Sequence, residues 1–228
     1  MARKRSKRYQ RGSELVDRTK LYSPVEGLET LKKIPGPKFE ESVEVAVRLG
    51  IDPKKTDQLV RGSVSLPKGT GKSVKIAVFA EGDRAKEAEE AGADYVGGQD
   101  LAEKIEGGFT DFDMTIAAPD MMRFVGKLGR VLGPQGKMPS PKAGTVTPNV
   151  GDAVREFKAG KIEFRTDAGA NVHAAIGRRS FSAEDLAENL QAFIEHLKSL
   201  KPAQAKGTFI RKISVSTTMG PGLTVAVD

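Results

Sequence analysis

The sequence has no cysteine, no tryptophan and only two histidines, His173 and His196. The missing thiols exclude disulfides, thiolate metal sites and a cysteine nucleophile. Two histidines are too few for a histidine-rich metal centre. No apolar run approaches the roughly 20 residues that a membrane-spanning helix needs. The opening residues lack the apolar core of a secretion signal and are too short to read as a transit peptide. These absences predict a cytoplasmic protein that does not enter a membrane and holds neither metal nor cofactor. Apolar residues make up 38% of the 228, aromatics only 6%, and 25 glycines accompany 12 prolines. Such a chain favours two modest cores with many turns over one deep core.

Positive charge is plentiful but unevenly spread. Residues 1–20 carry eight cations against Glu14 and Asp17, which accounts for +6 of the net +7. Residues 81–113 reverse this, with eleven carboxylates against Arg84, Lys86 and Lys104. A polyanion would therefore be met at chosen faces and not coated from all sides.

Read in order, 1–20 is a basic arm entering a helix, with Leu15 and Val16 as its apolar anchors. Ser23, Pro24 and Glu26 form a capping box, which predicts a helix over 24–33. Alternation over 42–50 predicts a half-buried strand, and 59–66 reads as another. Residues 67–72 suit a linker. The run 74–80 is near-continuously apolar, broken only by Lys75, as in a strand buried on both faces. Helices over 84–91, 101–106 and 120–128 then alternate with strands at 93–96 and 114–118, and Asn149 can cap a helix over 151–157. A second linker falls at 158–160. Beyond it, 162–165 and 171–176 read as paired strands about a turn. Ser182 and Asp185 cap a long amphipathic helix bearing Leu186, Leu190, Phe193, Leu197 and Leu200. Strands at 209–216 and 223–227 complete the chain.

The pattern predicts a mixed α/β and α+β protein of two domains. One is a discontinuous α+β sandwich formed by both termini, 1–67 plus 160–228. The other is a Rossmann-like parallel α/β domain inserted as 68–159.

Motifs that suggest catalysis fail on inspection. Gly69-Thr70-Gly71-Lys72-Ser73 ends like a phosphate-binding P-loop, but Leu66 stands where the first glycine belongs and a strand follows instead of a helix. Gly133 to Lys137 fails likewise, with Val131 at the glycine position and Met138 in place of serine or threonine. A serine nucleophile would need His173 or His196 as its base. The first lies in a strand and the second in the long helix, so no active site converges.

One stretch is loud. Residues 123–148 read RFVGKLGRVLGPQGKMPSPKAGTVTP, with Arg123, Lys127, Arg130, Lys137 and Lys142 and no carboxylate. Its recurrent glycines and prolines shape the backbone into a loop that offers N–H groups and cations to an anion. The run from Gly126 to Lys142 closely resembles the signature of the first-numbered large-subunit ribosomal proteins, bacterial type, the family of the mobile side stalk. Met138 and Ser140 stand where that family commonly has leucine and asparagine. The likeness extends from Phe39 through residues 45–50 and 91–98 to Thr218.

The resemblance implies a non-enzymatic component of the large ribosomal subunit that is a monomer when free. It would bind the 23S ribosomal RNA stalk, assist release of deacylated tRNA from the exit site and repress translation of its own operon mRNA. The family's RNA grip matches Lys38, Phe39 and Ser42 (often threonine in the family) together with Thr217, Thr218, Met219 and Gly220. Arg165 and His173 are carried over from the intervening hairpin. The residue types suit the task, since RNA is read by stacking on rings and by hydrogen bonds to 2′-hydroxyls, while glycine lets backbone approach the sugar. The signature loop is expected to lie against its own domain and add secondary contacts. The rival readings are a nucleotide-binding α/β enzyme and a non-specific nucleic-acid-compacting protein.

Overall fold

A computed structural model describes residues 5–226. Arg3 and Lys4 of the basic arm and Val227 of the last expected strand lie outside them. The chain begins with α1 (Lys7–Glu14), β1 (Leu21–Tyr22), α2 (Pro24–Lys33), β2 (Ser42–Leu49) and β3 (Arg61–Ser65). Its middle forms β4 (Ile76–Phe79), α3 (Asp83–Glu90), β5 (Tyr95–Gly97), α4 (Gln99–Glu106) and β6 (Met114–Ala117). The short helices α5 (Met122–Val125) and α6 (Gly129–Leu132) follow, then α7 (Val150–Ala159). The last third forms β7 (Lys161–Arg165), β8 (Asn171–Arg178), α8 (Ala183–Ser199), β9 (Ile210–Thr217) and β10 (Leu223–Val225).

By density of contact these elements divide into two compact units, Met1–Lys72 with Ile162–Asp228, and Ser73–Lys161. In the first, five strands form a sheet in the order β1-β10-β9-β2-β8. β1 runs parallel to β10, and the other pairs are antiparallel. The alternation in β2 puts Val43, Val45, Val47 and Leu49 into the core. There they meet Leu28 and Leu31 of α2 and Leu186, Leu190, Phe193 and Leu197 of α8. The opposite face carries Glu44, Ala46, His173, Ala175, Ser214 and Ser216, all half-buried or exposed. Both helices start as their caps predict. Ser23 Oγ accepts from the Glu26 N–H at 3.3 Å, and Ser182 Oγ from the Asp185 N–H at 3.0 Å. The Glu26 carboxylate does not close its box, because it pairs with Lys20 instead.

Two expectations need correction in this unit and two in the next. Val16 is buried, but Leu15 is 52% exposed and anchors nothing. Residues 162–165 and 171–176 do not form a hairpin. β7 pairs with β3 in a separate two-stranded ribbon, β8 pairs with β2, and only Thr166 and Val172 bridge the two. The turn between them passes through Ala170 in the left-handed conformation, with Asp167 Oδ1 accepting from the Gly169 and Asn171 N–H groups. This sends the strands apart. Asn149 makes no side-chain bond to the start of α7; its own N–H donates to Thr147 Oγ1.

In the second unit, β5, β4 and β6 form a parallel sheet in that order, and all of β4 is buried. The helix expected over 120–128 is broken into 3-10 turns alternating with α5 and α6. Gly126 and Gly129 favour helix weakly, and the broken path still buries Met121, Val125, Leu128 and Leu132.

Candidate functional site

β2 begins where its neighbour β9 ends, so the chain just before Ser42 and the chain just after Thr217 emerge at one end of the sheet. Thr218 fastens this junction. Its N–H donates to the Ser42 carbonyl at 3.1 Å, and its hydroxyl accepts from the Ser42 N–H at 3.1 Å. The same hydroxyl reaches the Ser42 carbonyl as donor at 3.3 Å, which leaves it one free lone pair for an outside donor. Ser42 Oγ accepts from Arg178 Nη1 at 3.2 Å.

Glu41 holds the junction from within. Its side chain is 1% exposed, and the two carboxylate oxygens are divided between the two segments. One accepts from the Met219 N–H at 2.9 Å; the other meets Arg179 Nη1 at 2.8 Å. Arg179 also donates to the carbonyls of Lys32 and Ile34, and its backbone N–H to the Glu41 carbonyl. A buried charge needs a partner and satisfied hydrogen bonds, and here those bonds reach three stretches of chain. Gly36 leaves the room: a Cβ there would stand 2.0 Å from Arg179 Nη1. Gly220 turns equally close to Thr217, where a Cβ would meet Oγ1 at 2.3 Å.

What this frame presents outward is a ring and a thioether. Phe39 is 53% exposed and Met219 50%, although both are apolar. Lys38 and Thr218 are exposed beside them, whereas Thr217 points inward and is buried. Thr217 therefore supports the turn from behind.

The remaining expected residues lie apart. His173 sits opposite Ala46 on the open face, some four residues along β2 from Ser42 and hence about 13 Å away. Its Nε2 is 3.4 Å from Asp167 Oδ2. The Asp167 carboxyl is held down to about 2, chiefly by the Asn171 N–H, then by the Asn171 side chain, Gly169 and His173. Arg165 ends β7 on the two-stranded ribbon and does not join the strand-end cluster. Glu41, Arg178 and Arg179 were missed as functional candidates. The signal available was a carboxylate directly before an alternating strand, to be matched with the adjacent arginines ending β8.

The loud loop behaves differently. Pro139, Ala143 and Thr145 are buried, and Met138 packs on the core of the second unit. Thr115 Oγ1 donates to the Lys137 carbonyl, and Lys137 Nζ donates to Thr110 O at 3.0 Å while lying over the Phe112 ring. Arg123, Lys127, Arg130 and Lys142 stay exposed. The P-loop-like stretch is a turn tied to α8: the Lys68 N–H donates to Asn189 Oδ1, and Asn189 Nδ2 to the Gly69 carbonyl.

No helix among the described residues is long and apolar enough to cross a membrane. The His196 ring stands edge-on to Phe164, and neither histidine ring is bonded to a serine among the described residues. Exposed Phe39 and Met219 and the Thr218 hydroxyl thus stand together at one end of the sheet, with Lys38 exposed beside them. Comparison with known proteins gives the chain a lineage. The model of the ribosomal protein L1p/L10e family matches residues 31–221. The chain is 54% identical over 220 residues to a protein of Kosmotoga olearia, covering 96% of this chain and 95% of that one. It is 56% identical over 220 residues to one of Alkalilimnicola ehrlichii, again covering 96% and 95%. A third, from Saccharopolyspora erythraea, is 55% identical over 222 residues, covering 97% and 93%. Each of the three is named large ribosomal subunit protein uL1. The chain belongs to the L1p/L10e family of ribosomal proteins, a family of structural components and not of enzymes.

Proposed function

We propose that this chain is a component of the large ribosomal subunit that grips the 23S rRNA of the mobile side stalk with the strand-end surface of its discontinuous domain. In this reading 1–67 with 160–228 is the RNA-binding domain, and 68–159 is an inserted, Rossmann-like domain making secondary contacts. On the ribosome the protein assists departure of deacylated tRNA from the exit site, and free in the cytoplasm it represses its own operon mRNA by gripping a similar RNA fold. The observation that carries the reading is the exposure of Phe39 and Met219 on either side of the buried Glu41, an arrangement that suits bases and sugars laid across a strand end.

The test is competition for the purified protein between a side-stalk rRNA fragment and bulk tRNA. The fragment should win by at least about tenfold, and affinity should fall by about three decades between about 50 and 200 mM salt if some six phosphates are contacted. Equal affinity for fragment, tRNA and duplex DNA would instead support non-specific compaction. Stoichiometric uptake of ATP, GTP or NAD in equilibrium dialysis would support the enzyme.

A further inference from the structure

At the end of the five-stranded sheet remote from Phe39 and Met219 lies a groove of about 500 Å3, lined by Arg18, Lys20, Leu21, Arg211, Lys212 and Thr224 among others. Its charge is built by strand register. Arg48 of β2 stands directly opposite Lys212 of β9. Like charges facing each other across a sheet oppose folding, so something other than stability accounts for the pair. The register then slips: Arg48 pairs with Lys212 but Leu49 pairs with Ile210, which leaves Arg211 as an extra residue on β9. A bulge of this kind re-aims a side chain, and here Arg211 and its neighbour Lys212 line the same groove.

From the other wall the approach to β1 brings in Arg18 and Lys20. Lys20 is paired with Glu26, and Asp17, next to Arg18 in the chain, accepts from the Thr19 N–H and hydroxyl. Arg18, Arg48, Arg211 and Lys212 are all exposed, and no ion pair among the described residues uses them. Leu21 stands 65% exposed beside them.

We infer that this groove is a second RNA site, taking phosphodiester groups of the same RNA whose other part lies on Phe39 and Met219. The inference rests on the RNA-binding reading above. Ser42 and Arg48 are six residues apart on β2, about 20 Å. The open face between the two ends carries the small side chains of Ala46, Ala175, Ser214 and Ser216, with His173 and the carboxylate of Glu44 exposed among them, so a backbone laid along it runs over the small residues and past one acid. A ligand with negative charge repeated along its length relieves the repulsion at Arg48 and Lys212 and also reaches Arg211 and Arg18. The groove offers no aromatic ring for stacking, so it contributes charge and register and not sequence preference.

The experiment measures binding of a labelled side-stalk rRNA fragment to the full chain across a salt series. Two groove variants, Arg48→Gln/Lys212→Gln and Arg18→Gln/Arg211→Gln, are set beside a control, Lys54→Gln/Lys55→Gln, which removes two exposed cations elsewhere in the same unit. Each groove pair should make the slope of log K against log salt shallower by about 1.5, while the control leaves it unchanged. The Arg48/Lys212 variant should melt no lower than the parent, since it removes a repulsion. Unchanged slopes in both groove variants of a parent that binds well would overturn the groove and leave the strand-end reading standing. A parent that ignores the fragment would overturn both. Displacement of the fragment by polyglutamate from the parent, but not from the groove variants, would reassign the groove to an acidic protein.

Discussion

The signature loop and the strand-end surface are both rich in glycine and close to cations, yet they use their residues in opposite ways. The loop turns Met138, Pro139, Ala143 and Thr145 inward and ties Lys137 to Thr110, so much of its motif shapes its own unit. The strand end turns its acid inward and leaves Phe39 and Met219 outside. Density of pattern in a sequence therefore does not by itself mark an exposed surface. Apolar groups that folding leaves exposed beside satisfied polar groups are the better guide.

The largest break in this contrast should come from Glu41→Ala. It strands Arg179, which is 23% exposed, and cuts the bond to Met219, so stability should fall by about 3 kcal/mol in urea titration and RNA binding with it. Phe39→Ala should cost about 1–3 kcal/mol of binding to the stalk fragment with the melting temperature unmoved, because the ring makes its energy by stacking on a base. Thr218→Val sharpens the comparison by separating frame from ligand. The Ser42 N–H loses its hydroxyl acceptor, for about 1 kcal/mol of stability, and any binding loss beyond that reports an RNA hydroxyl. In the loop, Lys127→Gln/Arg130→Gln should change the salt slope by less than about 1 and leave affinity near the parent's.

The smallest effect concerns Asp167. Its carboxyl is depressed from 3.8 to about 2 in the fold, so the charged form stabilises the native state above about pH 4. That contribution is lost as pH falls toward 2. Acid titration of Asp167→Asn should be flatter than the parent's over this window, and parallel curves would show that the turn holds without the charge.

Much of the fold was legible in the sequence because local chemistry decides it. Ser23 and Ser182 cap their helices, the alternation in β2 sets its buried face, and the unbroken apolar run at β4 marks burial on both sides. What was not legible depends on partners distant in the chain. β7 and β8 look like a hairpin until β2 and β3 each claim one of them. Thr217 and Thr218 read alike as strand-end hydroxyls, and only the register against Val43 and Ser42 turns one inward and one out. Glu41 looks like a surface carboxylate until Arg179, 138 residues on, is folded against it. The Arg48–Lys212 opposition and the Arg211 bulge are likewise invisible until two strands are paired.

The central claim is that the strand end, and not the loop, carries the grip. The most direct measurement sets Phe39→Ala/Met219→Ala beside Lys127→Gln/Arg130→Gln/Lys142→Gln and reads the affinity of each for the side-stalk rRNA fragment at fixed salt. The account predicts a loss of about thirtyfold or more for the first and less than about threefold for the second. A loop variant that loses more than the strand-end variant, with both chains folded, would contradict it.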